Sequence, residues 1–337
     1  MDIEDMVALS VKHNAGDLHL CSGHSPFWRR GGRLEPMEKM PPIASAELEE
    51  CIRRWLTAQQ QRQFGTEGQL DFALTLPDAT RLRANLFRQQ QGLSLALRII
   101  ASKSPEIDAL RLPAVTRALL QLEDGLVLVT GATGSGKSTT LAALIDAINQ
   151  QQARHILTLE DPIEFLHHSQ RSLIQQREIG THCRSFSDGL RSALREDPDV
   201  ILLGELRDSD SIQLALTAAE TGHLVLATLH TRGAAQAVER LVDVFPGAEK
   251  NLIRSQLAGS LQAVIAQRLE PTAEQQRRVA LFEVLVNTPA VANLIREGKT
   301  HQLPGLLETG IQAGMQTFAQ SRAERVRAGL LASAALG

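Results

Sequence analysis

The stretch LVLVTGATGSGKSTTLAALID occupies residues 126–146 and decides the fold of the larger part of the chain. Its start, LVLVT, predicts a buried strand, and the residues from Lys137 onward have the pattern of a helix. Between them, residues 131–138 fit the phosphate-loop pattern G-x-x-x-x-G-K-[ST], in the strand-to-helix context that this pattern requires. The stretch therefore predicts a nucleotide-binding α/β domain.

The chemistry of this loop is that of an anion nest. Its glycines let backbone N–H groups turn toward a phosphate, and the N-terminus of the following helix adds its dipole. Lys137 adds a positive charge beside the β- and γ-phosphates, and the Ser138 hydroxyl is a ligand for Mg²⁺. The alternative, a glycine-rich turn that binds nothing, is disfavoured by the complete motif in its proper context. We expect ATP with Mg²⁺ to be bound by Gly131, Ala132, Thr133, Gly134, Ser135, Gly136, Lys137, Ser138 and Thr139.

Composition and charge exclude several classes of protein. With 337 residues, 43% of them hydrophobic and 22% charged, the chain has the make-up of a globular protein of about two domains. Its formal net charge of -3 provides no global basic field, so we expect no nucleic-acid partner. Three cysteines without a CxxC pair rule out a four-cysteine zinc site. The acidic start MDIEDMVALS and the short apolar runs predict neither a signal peptide nor a transmembrane segment.

The N-terminal part of the chain, residues 1–100, predicts a small α/β domain. A helical pattern covers residues 45–64, and Ser45 is interpreted as its N-cap. Strand patterns lie on either side of this helix, at residues 18–20 and 81–87.

A linker with two prolines, residues 101–113, is predicted to join this domain to a core formed by residues 114–337. In the core, short apolar strands alternate with helical patterns, which predicts a mostly parallel sheet covered by helices on both faces. From about residue 247 the pattern predicts helices almost throughout. The predicted strands that follow the phosphate loop are residues 155–159, 200–203 and 223–229.

Acidic residues follow two of these strands at the point where each strand ends. Glu160 follows the first strand and Glu205 the second. Because the carboxyl ends of parallel strands meet at one edge of a sheet, we expect both carboxylates near the phosphate loop. A common pattern ends its second strand with Asp then Glu, but Gly204 occupies the Asp position here. We therefore predict that Glu205 holds Mg²⁺ and that Glu160 orients the attacking water.

Histidine and arginine side chains supply further candidates. His230 ends another predicted strand, where it can approach the γ-phosphate. Four arginines near the end of the N-terminal domain have two interpretations: a solvent-facing strand, or arginine fingers that neutralise charge during phosphoryl transfer on the same or a neighbouring subunit. Their spacing does not choose between the two. These arginines are Arg81, Arg83, Arg88 and Arg98.

The four boxes, in this order, resemble those of the type II/IV secretion and pilus ATPases. In that family's terms, residues 131–138 form the Walker A box, and LTLEDPIEF at 157–165 is similar to the Asp box. LREDPDVILLGELRD at 194–208 is similar to the Walker B box, and TGHLVLATLHT at 221–231 to the His box. The resemblance spans most of residues 80–245.

The resemblance implies a small PAS-like N-terminal domain, a RecA-like P-loop core and a homo-hexameric ring that hydrolyses ATP. It implies arginines that reach a neighbouring subunit's nucleotide, with Arg83 and Arg98 as the best-matching positions. It implies Glu160 and Glu205 in water and Mg²⁺ chemistry, and His230 as a phosphate sensor. It also implies a cytoplasmic protein that associates with the inner membrane through a pilus platform protein. Weaker arginine candidates are Arg195, Arg207 and Arg232.

Two features favour the retraction branch of this family. The chain has no four-cysteine zinc module of the kind that assembly and secretion members usually carry. Residues 290–318, AVANLIREGKTHQLPGLLETGIQAGMQTF, are similar to the retraction-type segment that starts AIRNLIRE, although Ala292 replaces its arginine. The resemblance implies type IV pilus retraction, the movement behind twitching motility, and Ala292 leaves room for altered retraction work. The alternatives are an assembly ATPase of a type II secretion-like system, a low-turnover nucleotide-binding ring and a related DNA-translocating motor.

Overall fold

The computed structural model describes residues 2–30, 33–100, 104–272 and 278–332. The chain forms two compact units, Met1–Lys103 and Ser104–Gly337. None of the helices in the described ranges has the length and apolar character needed to cross a membrane. Of the predicted linker, residues 101–103 lie outside the described residues, and the part from Ser104 onward belongs to the second unit.

The first unit is built on a six-stranded antiparallel sheet. In chain order its elements are α1 (Ile3–Lys12), β1 (Asp17–Cys21), β2 (Phe27–Arg30), β3 (Arg33–Pro36), α2 (Ser45–Trp55), α3 (Ala58–Glu67), β4 (Gln69–Thr75), β5 (Arg81–Gln89) and β6 (Gly92–Ile100). The strands lie in the order β3-β2-β1-β6-β5-β4. Alternation along β5 buries Leu82, Ala84 and Leu86 in the core and leaves Arg83 exposed.

The single helix predicted over residues 45–64 is two helices, and the N-cap prediction for Ser45 is wrong. Ser45 lies inside the first turn of α2, where its hydroxyl donates to Glu49 and caps no backbone group. A new helix, α3, starts after Thr57, whose hydroxyl accepts from the backbone N–H of Gln60 in a capping box. The sequence carries this signal, because Thr57 has glutamine three residues later whereas Ser45 has leucine there.

The second unit is built on a seven-stranded sheet. In chain order its elements are α4 (Ile107–Leu110), α5 (Val115–Leu119), β7 (Gly125–Thr130), α6 (Lys137–Gln151), β8 (His155–Glu160), β9 (Leu173–Glu178), α7 (Phe186–Ala193), β10 (Val200–Leu203), α8 (Ser209–Glu220), β11 (Leu224–Leu229), α9 (Ala234–Asp243), α10 (Lys250–Ser260), β12 (Leu261–Pro271), β13 (Arg278–Val286), α11 (Pro289–Arg296), α12 (Leu303–Thr309) and α13 (Phe318–Arg327). The strands lie in the order β13-β12-β7-β11-β10-β8-β9. Every pair is parallel except β12 with β13, so the predicted mostly parallel sheet is confirmed.

Both faces of this sheet are covered. All six residues of β7 are buried, and alternate ones belong to different hydrophobic clusters. Leu126 and Leu128 pack on one face, and Val127 and Val129 pack on the other. Two-sided burial explains why the central strands appear in the sequence as continuous apolar runs.

The prediction that the chain is helical almost throughout from about residue 247 is wrong. The hairpin of β12 and β13 extends the sheet, with β12 parallel to β7. The start of β12, LQAVIAQRL, is rich in leucine, alanine and glutamine, which favour helices in isolation. Its strand conformation is decided by pairing with β7, a tertiary interaction that local propensity does not report.

Candidate functional site

The phosphate loop joins the end of β7 to the start of α6. Gly134 and Gly136 have φ angles of 76° and 91°, in the left-handed region that residues with a Cβ rarely adopt. Gly131 is required by space, because a Cβ there would lie 2.3 Å from the backbone oxygen of Gln267. The exposed residues of the loop are Ala132, Thr133 and Gly134.

Lys137 is a buried cation, 8% exposed, at the first position of α6. Its Nζ donates to two carbonyl oxygens of the loop, at 2.9 and 3.1 Å, and lies 3.4 Å from Nδ1 of His230. Burial lowers the pKa of Lys137, and the negative charges of Glu205 and Glu164 act in the opposite direction. The ammonium is therefore held at the loop by carbonyl dipoles and nearby carboxylates.

Glu205 links the third and fourth boxes of the site. Its carboxylate lies 2.6 Å from a guanidinium nitrogen of Arg207 and 3.1 Å from Nε2 of His230. Burial raises the pKa of Glu205, but Arg207 and His230 outweigh burial, so the net pKa lies below its usual value. A neutral imidazole satisfies both contacts of His230, since Nε2–H donates to Glu205 and Nδ1 accepts from Lys137. These three side chains form a continuous polar chain, which we call the lysine–histidine–glutamate chain.

Thr130, the last residue of β7, fixes the His box against the phosphate loop. It is fully buried, and its hydroxyl lies 2.8 Å from the carbonyl oxygen of Thr231 and 2.7 Å from the Thr231 hydroxyl. The same hydroxyl accepts from the backbone N–H of Thr231 at 3.0 Å. Because Thr231 directly follows His230, these bonds set the position of the histidine ring. The sequence interpretation did not single out Thr130, although it directly precedes the first glycine of the loop.

Glu160 lies at the end of β8, as the sequence predicts, and is half-buried. Its Oε1 accepts from the hydroxyl of Thr158 at 2.6 Å and from the side-chain amide of Gln176 at 3.1 Å. Burial raises the pKa of Glu160, although these hydrogen bonds and one from the backbone N–H of Glu164 oppose the increase. Protein donors thus already engage this carboxylate.

Glu164 is a candidate that the sequence interpretation missed. Its side chain is exposed, and its charge acts on the ammonium of Lys137. It is the second glutamate of the LTLEDPIEF box, four residues after Glu160. The sequence does show a second carboxylate in the same box. Its spacing does not indicate which of the two glutamates orients the attacking water.

The predicted arginine fingers lie in the first unit. Arg83 of β5 and Arg98 of β6 are directly opposite each other. Arg98 pairs with Asp17 at 2.9 Å, whereas the exposed Arg83 has no ion-pair partner among the described residues. Among the described residues, Arg83 is therefore the member of this pair whose positive charge has no carboxylate beside it. Of the weaker candidates, Arg207 contacts Glu205, and Arg195 and Arg232 are exposed.

Two oxygen donors of the site suit Mg²⁺. They are the half-buried hydroxyl of Ser138 and the carboxylate of Glu205, whose side chain is 17% exposed. Mg²⁺ takes hard oxygen ligands and keeps waters and nucleotide phosphates among them, so few protein ligands are needed. The described residues contain no group of three or more His, Cys, Asp and Glu side chains suited to a metal held by protein alone.

Comparison with known proteins identifies the family. The profile of the family described as Type II/IV secretion system protein matches residues 57–333 of the chain. The chain belongs to this family. The match includes the phosphate loop and the three boxes that follow it, as the sequence resemblance predicts.

Individual members of the Type II/IV secretion system family are similar over nearly the whole chain. A protein of Escherichia coli (strain K12) named YggR is 61% identical, over 98% of this chain and 100% of its own length. The type IV pilus retraction ATPase PilT of Pseudomonas aeruginosa is 46% identical, over 94% of this chain and 92% of its own. A crystal structure of the pilus retraction motor PilT with bound ADP matches with a TM-score of 0.91 and 38% identity, covering 98% of this chain and 94% of that one. The predicted fold class, a small N-terminal α/β domain followed by a P-loop core, is confirmed.

We expect Glu160→Gln to make the stability of the protein less dependent on pH. Because burial raises the pKa of Glu160, the folded state holds its proton more tightly than the unfolded state does. The free energy of unfolding therefore falls as pH rises through the usual carboxyl range, above about pH 4, and this loss persists at neutral pH. The gain in Tm of Glu160→Gln over wild type should be larger at pH 7 than at pH 4.5, by roughly 2–4 °C per kcal/mol recovered.

The measurement is a set of thermal melts between pH 4.5 and 7.5. Glu308→Gln on α12, where the side chain is exposed, is the matched control for removing a surface carboxylate. A Tm difference for Glu160→Gln that is constant across this range would contradict the buried-carboxylate interpretation.

Proposed function

We propose that this chain is an ATP-hydrolysing motor that drives retraction of type IV pili. The observation that carries the proposal is the lysine–histidine–glutamate chain, which connects three motif boxes at the ends of three parallel strands. A phosphate loop alone serves many nucleotide-binding proteins, whereas hydrolysis also needs carboxylates and a sensor at the phosphate end. The direction of the work is supported by the similarity to PilT of P. aeruginosa and to the pilus retraction motor.

Each loop residue has a defined task in this proposal. The backbone N–H groups between Gly131 and Thr139 bind the phosphates, and Lys137 neutralises charge that develops on the transferred phosphoryl group. Ser138 and Glu205 would hold Mg²⁺, which would supply positive charge to the phosphates of the nucleotide. His230 acts as the phosphate sensor, because a phosphate that draws Lys137 toward itself weakens the contact between Lys137 and Nδ1 of His230.

Two carboxylates compete for the task of orienting the attacking water. The sequence favours Glu160, but Oε1 of Glu160 already accepts two side-chain hydrogen bonds and holds the end of β8 against β9. Glu164 is exposed and acts electrostatically on Lys137, so its lone pairs are free to accept from water. We therefore propose that Glu164 orients the attacking water and that Glu160 positions the end of β8 against β9.

A homo-hexameric ring completes the proposed site. The family resemblance implies that arginines of one subunit reach the nucleotide of its neighbour. Arg83 suits this task, because it is exposed and no described carboxylate neutralises it, whereas Asp17 pairs with the facing Arg98. An anionic γ-phosphate of the neighbouring subunit would supply the counter-charge that Arg83 lacks.

The proposed location is the cytoplasmic face of the inner membrane, where a pilus platform protein holds the ring. Ala292, which replaces the arginine of the retraction-type segment, is 9% exposed and lies on the buried side of α11. The alanine therefore stands at a packed position of α11. ATPase assays and the phenotype of a deletion strain distinguish retraction from the assembly and low-turnover functions.

We expect Glu205→Ala to keep ADP binding and to lose hydrolysis by about a hundredfold or more, the scale of losing one group that stabilises a transition state. Glu164→Gln should also lower kcat by about a hundredfold with KM nearly unchanged, whereas Glu160→Gln should cost about tenfold or less. Steady-state ATPase assays with Mg²⁺ measure these changes, and Glu308→Gln serves as the control. A wild-type ATPase rate no faster than that of Glu205→Ala would contradict the motor proposal and support the low-turnover nucleotide-binding ring. A larger loss of kcat for Glu160→Gln than for Glu164→Gln would indicate that Glu160 orients the attacking water.

We expect arginine fingers to act between subunits, which mixed rings can test. Rings of Arg83→Ala alone and of Lys137→Ala alone should both be inactive. In a one-to-one mixture that assembles at random, about a quarter of the sites combine an intact phosphate loop with an intact finger, so activity should partly return. Native mass spectrometry verifies that rings mix, and Arg62→Ala on α3 is a control that should stay fully active. Verified mixed rings without any recovered activity would count against fingers supplied by a neighbour.

In the source organism, deletion of the gene should increase surface pili and abolish twitching motility, because pili would extend without being withdrawn. The wild-type gene should restore both phenotypes, and a Lys137→Ala gene should restore neither. Electron microscopy of pili together with a surface-motility assay makes the measurement. A deletion strain without surface pili would instead favour the assembly function.

A further inference from the structure

Gln267 of β12 is a buried polar residue that none of the motif boxes contains. The residue is only 4% exposed, and both ends of its side-chain amide form hydrogen bonds. Nε2 donates to the carbonyl oxygen of Ser135 at 2.7 Å, and Oε1 accepts from the hydroxyl of Thr140 at 2.7 Å. One side chain thus contacts the phosphate loop and the first turn of the helix that follows it.

The loop is shaped around this glutamine. A Cβ on Gly136 would lie 2.7 Å from Nε2 of Gln267, and a Cβ on Gly131 would lie 2.3 Å from its backbone oxygen. Two glycines of the phosphate-loop motif are therefore needed for contact with β12 in addition to the approach of a phosphate. The pairing of Ala266 with Thr130 brings Gln267 to the level at which β7 ends and the loop begins.

The hydrogen bond to Ser135 has a consequence for the nest. In a trans peptide the C=O and the following N–H point in opposite directions. A Ser135 carbonyl held toward Gln267 therefore turns the N–H of Gly136 away from β12, on the side where the loop can present N–H groups to an anion. The bond from Thr140 fixes the first turn of α6, whose free N–H groups belong to the same nest.

We propose that Gln267 is a positioning residue for phosphate binding: it holds the Ser135–Gly136 peptide and the start of α6 in the orientation that receives the β-phosphate. The inference rests on the proposed function, because it concerns the nucleotide site of the ATPase. Its physical basis is preorganisation, since a loop that is already oriented loses less conformational freedom when a ligand binds. Gln267 does not touch the reacting atoms, so its loss weakens nucleotide binding more than it slows the chemical step.

The test compares full-length rings of wild type, Gln267→Leu, Thr140→Val and Thr140→Ser. Gln267→Leu removes both bonds at similar volume and should raise the Kd for ADP and the KM for ATP by about tenfold or more, with kcat changed by less than about threefold. Thr140→Val removes one of the bonds and should raise both constants by about threefold. Thr140→Ser keeps the hydroxyl and should behave like wild type.

Gln262→Leu is the matched control, because Gln262 lies on the same strand and its amide reaches only the carbonyl oxygen of Asp124, at 3.5 Å. This control should leave the Kd for ADP unchanged. Thermal melts and ring mass accompany every titration, since a purely structural role predicts a lower Tm with an unchanged Kd and KM. That result for Gln267→Leu would overturn the inference.

The remaining outcomes also decide between the proposals. If Gln267→Leu does not fold, equal Kd values for Thr140→Val and Thr140→Ser would overturn the inference, and a Kd raised only in Thr140→Val would support it. A wild type that binds ADP and hydrolyses ATP, beside a Gln267→Leu variant with the same Kd, would overturn this inference alone. A wild type that binds no ADP would overturn the proposed function and this inference together.

Discussion

A buried ammonium at the end of a central strand constrains the whole of the second unit. Lys137 has lost most of its contact with water, which disfavours its charged form. Carbonyl oxygens of the loop, the ring of His230 and the charges of Glu205 and Glu164 offset that loss. These groups come from different strand ends, so they can meet only where parallel strands bring their carboxyl ends to one edge. The sheet order and the glycines of the loop are consistent with this single electrostatic requirement.

Features with a local physical cause could be predicted from the sequence. The phosphate loop needs glycines, a lysine and a helix start within eight residues, and all of these are adjacent in the chain. The central strands were predictable because burial on both faces leaves continuous apolar runs. Glu160, Glu205 and His230 could be assigned to strand ends for the same reason, and contacts of 3.1 and 3.4 Å join His230 to Glu205 and Lys137.

Features that depend on distant pairing could not be predicted. The sequence of β12 favours a helix locally, and only its place beside β7 makes it a strand. Gln267 was therefore overlooked, because a glutamine in a predicted helix is normally a surface residue. For a similar reason, the sequence interpretation did not consider Glu164 beside Glu160 as the residue that orients the water. Both follow the same strand, but the engagement of Glu160 by Gln176 involves β9, which the sequence interpretation did not predict.

The glycine at position 204, where related phosphate-loop patterns have Asp, has a packing explanation in this fold. A Cβ on Gly204 would lie 3.3 Å from both Cα of Glu160 and the carbonyl oxygen of Leu159, so a side chain there would press on the end of β8. Moreover, the carbonyl oxygen of Gly204 accepts from the hydroxyl of Thr228 on β11, which holds this backbone between its two neighbours. Glu205 follows this glycine, and its carboxylate lies 3.1 Å from Nε2 of His230. The close approach of β8 therefore disfavours an Asp at position 204, and Glu205 remains as the acidic residue that contacts the His box.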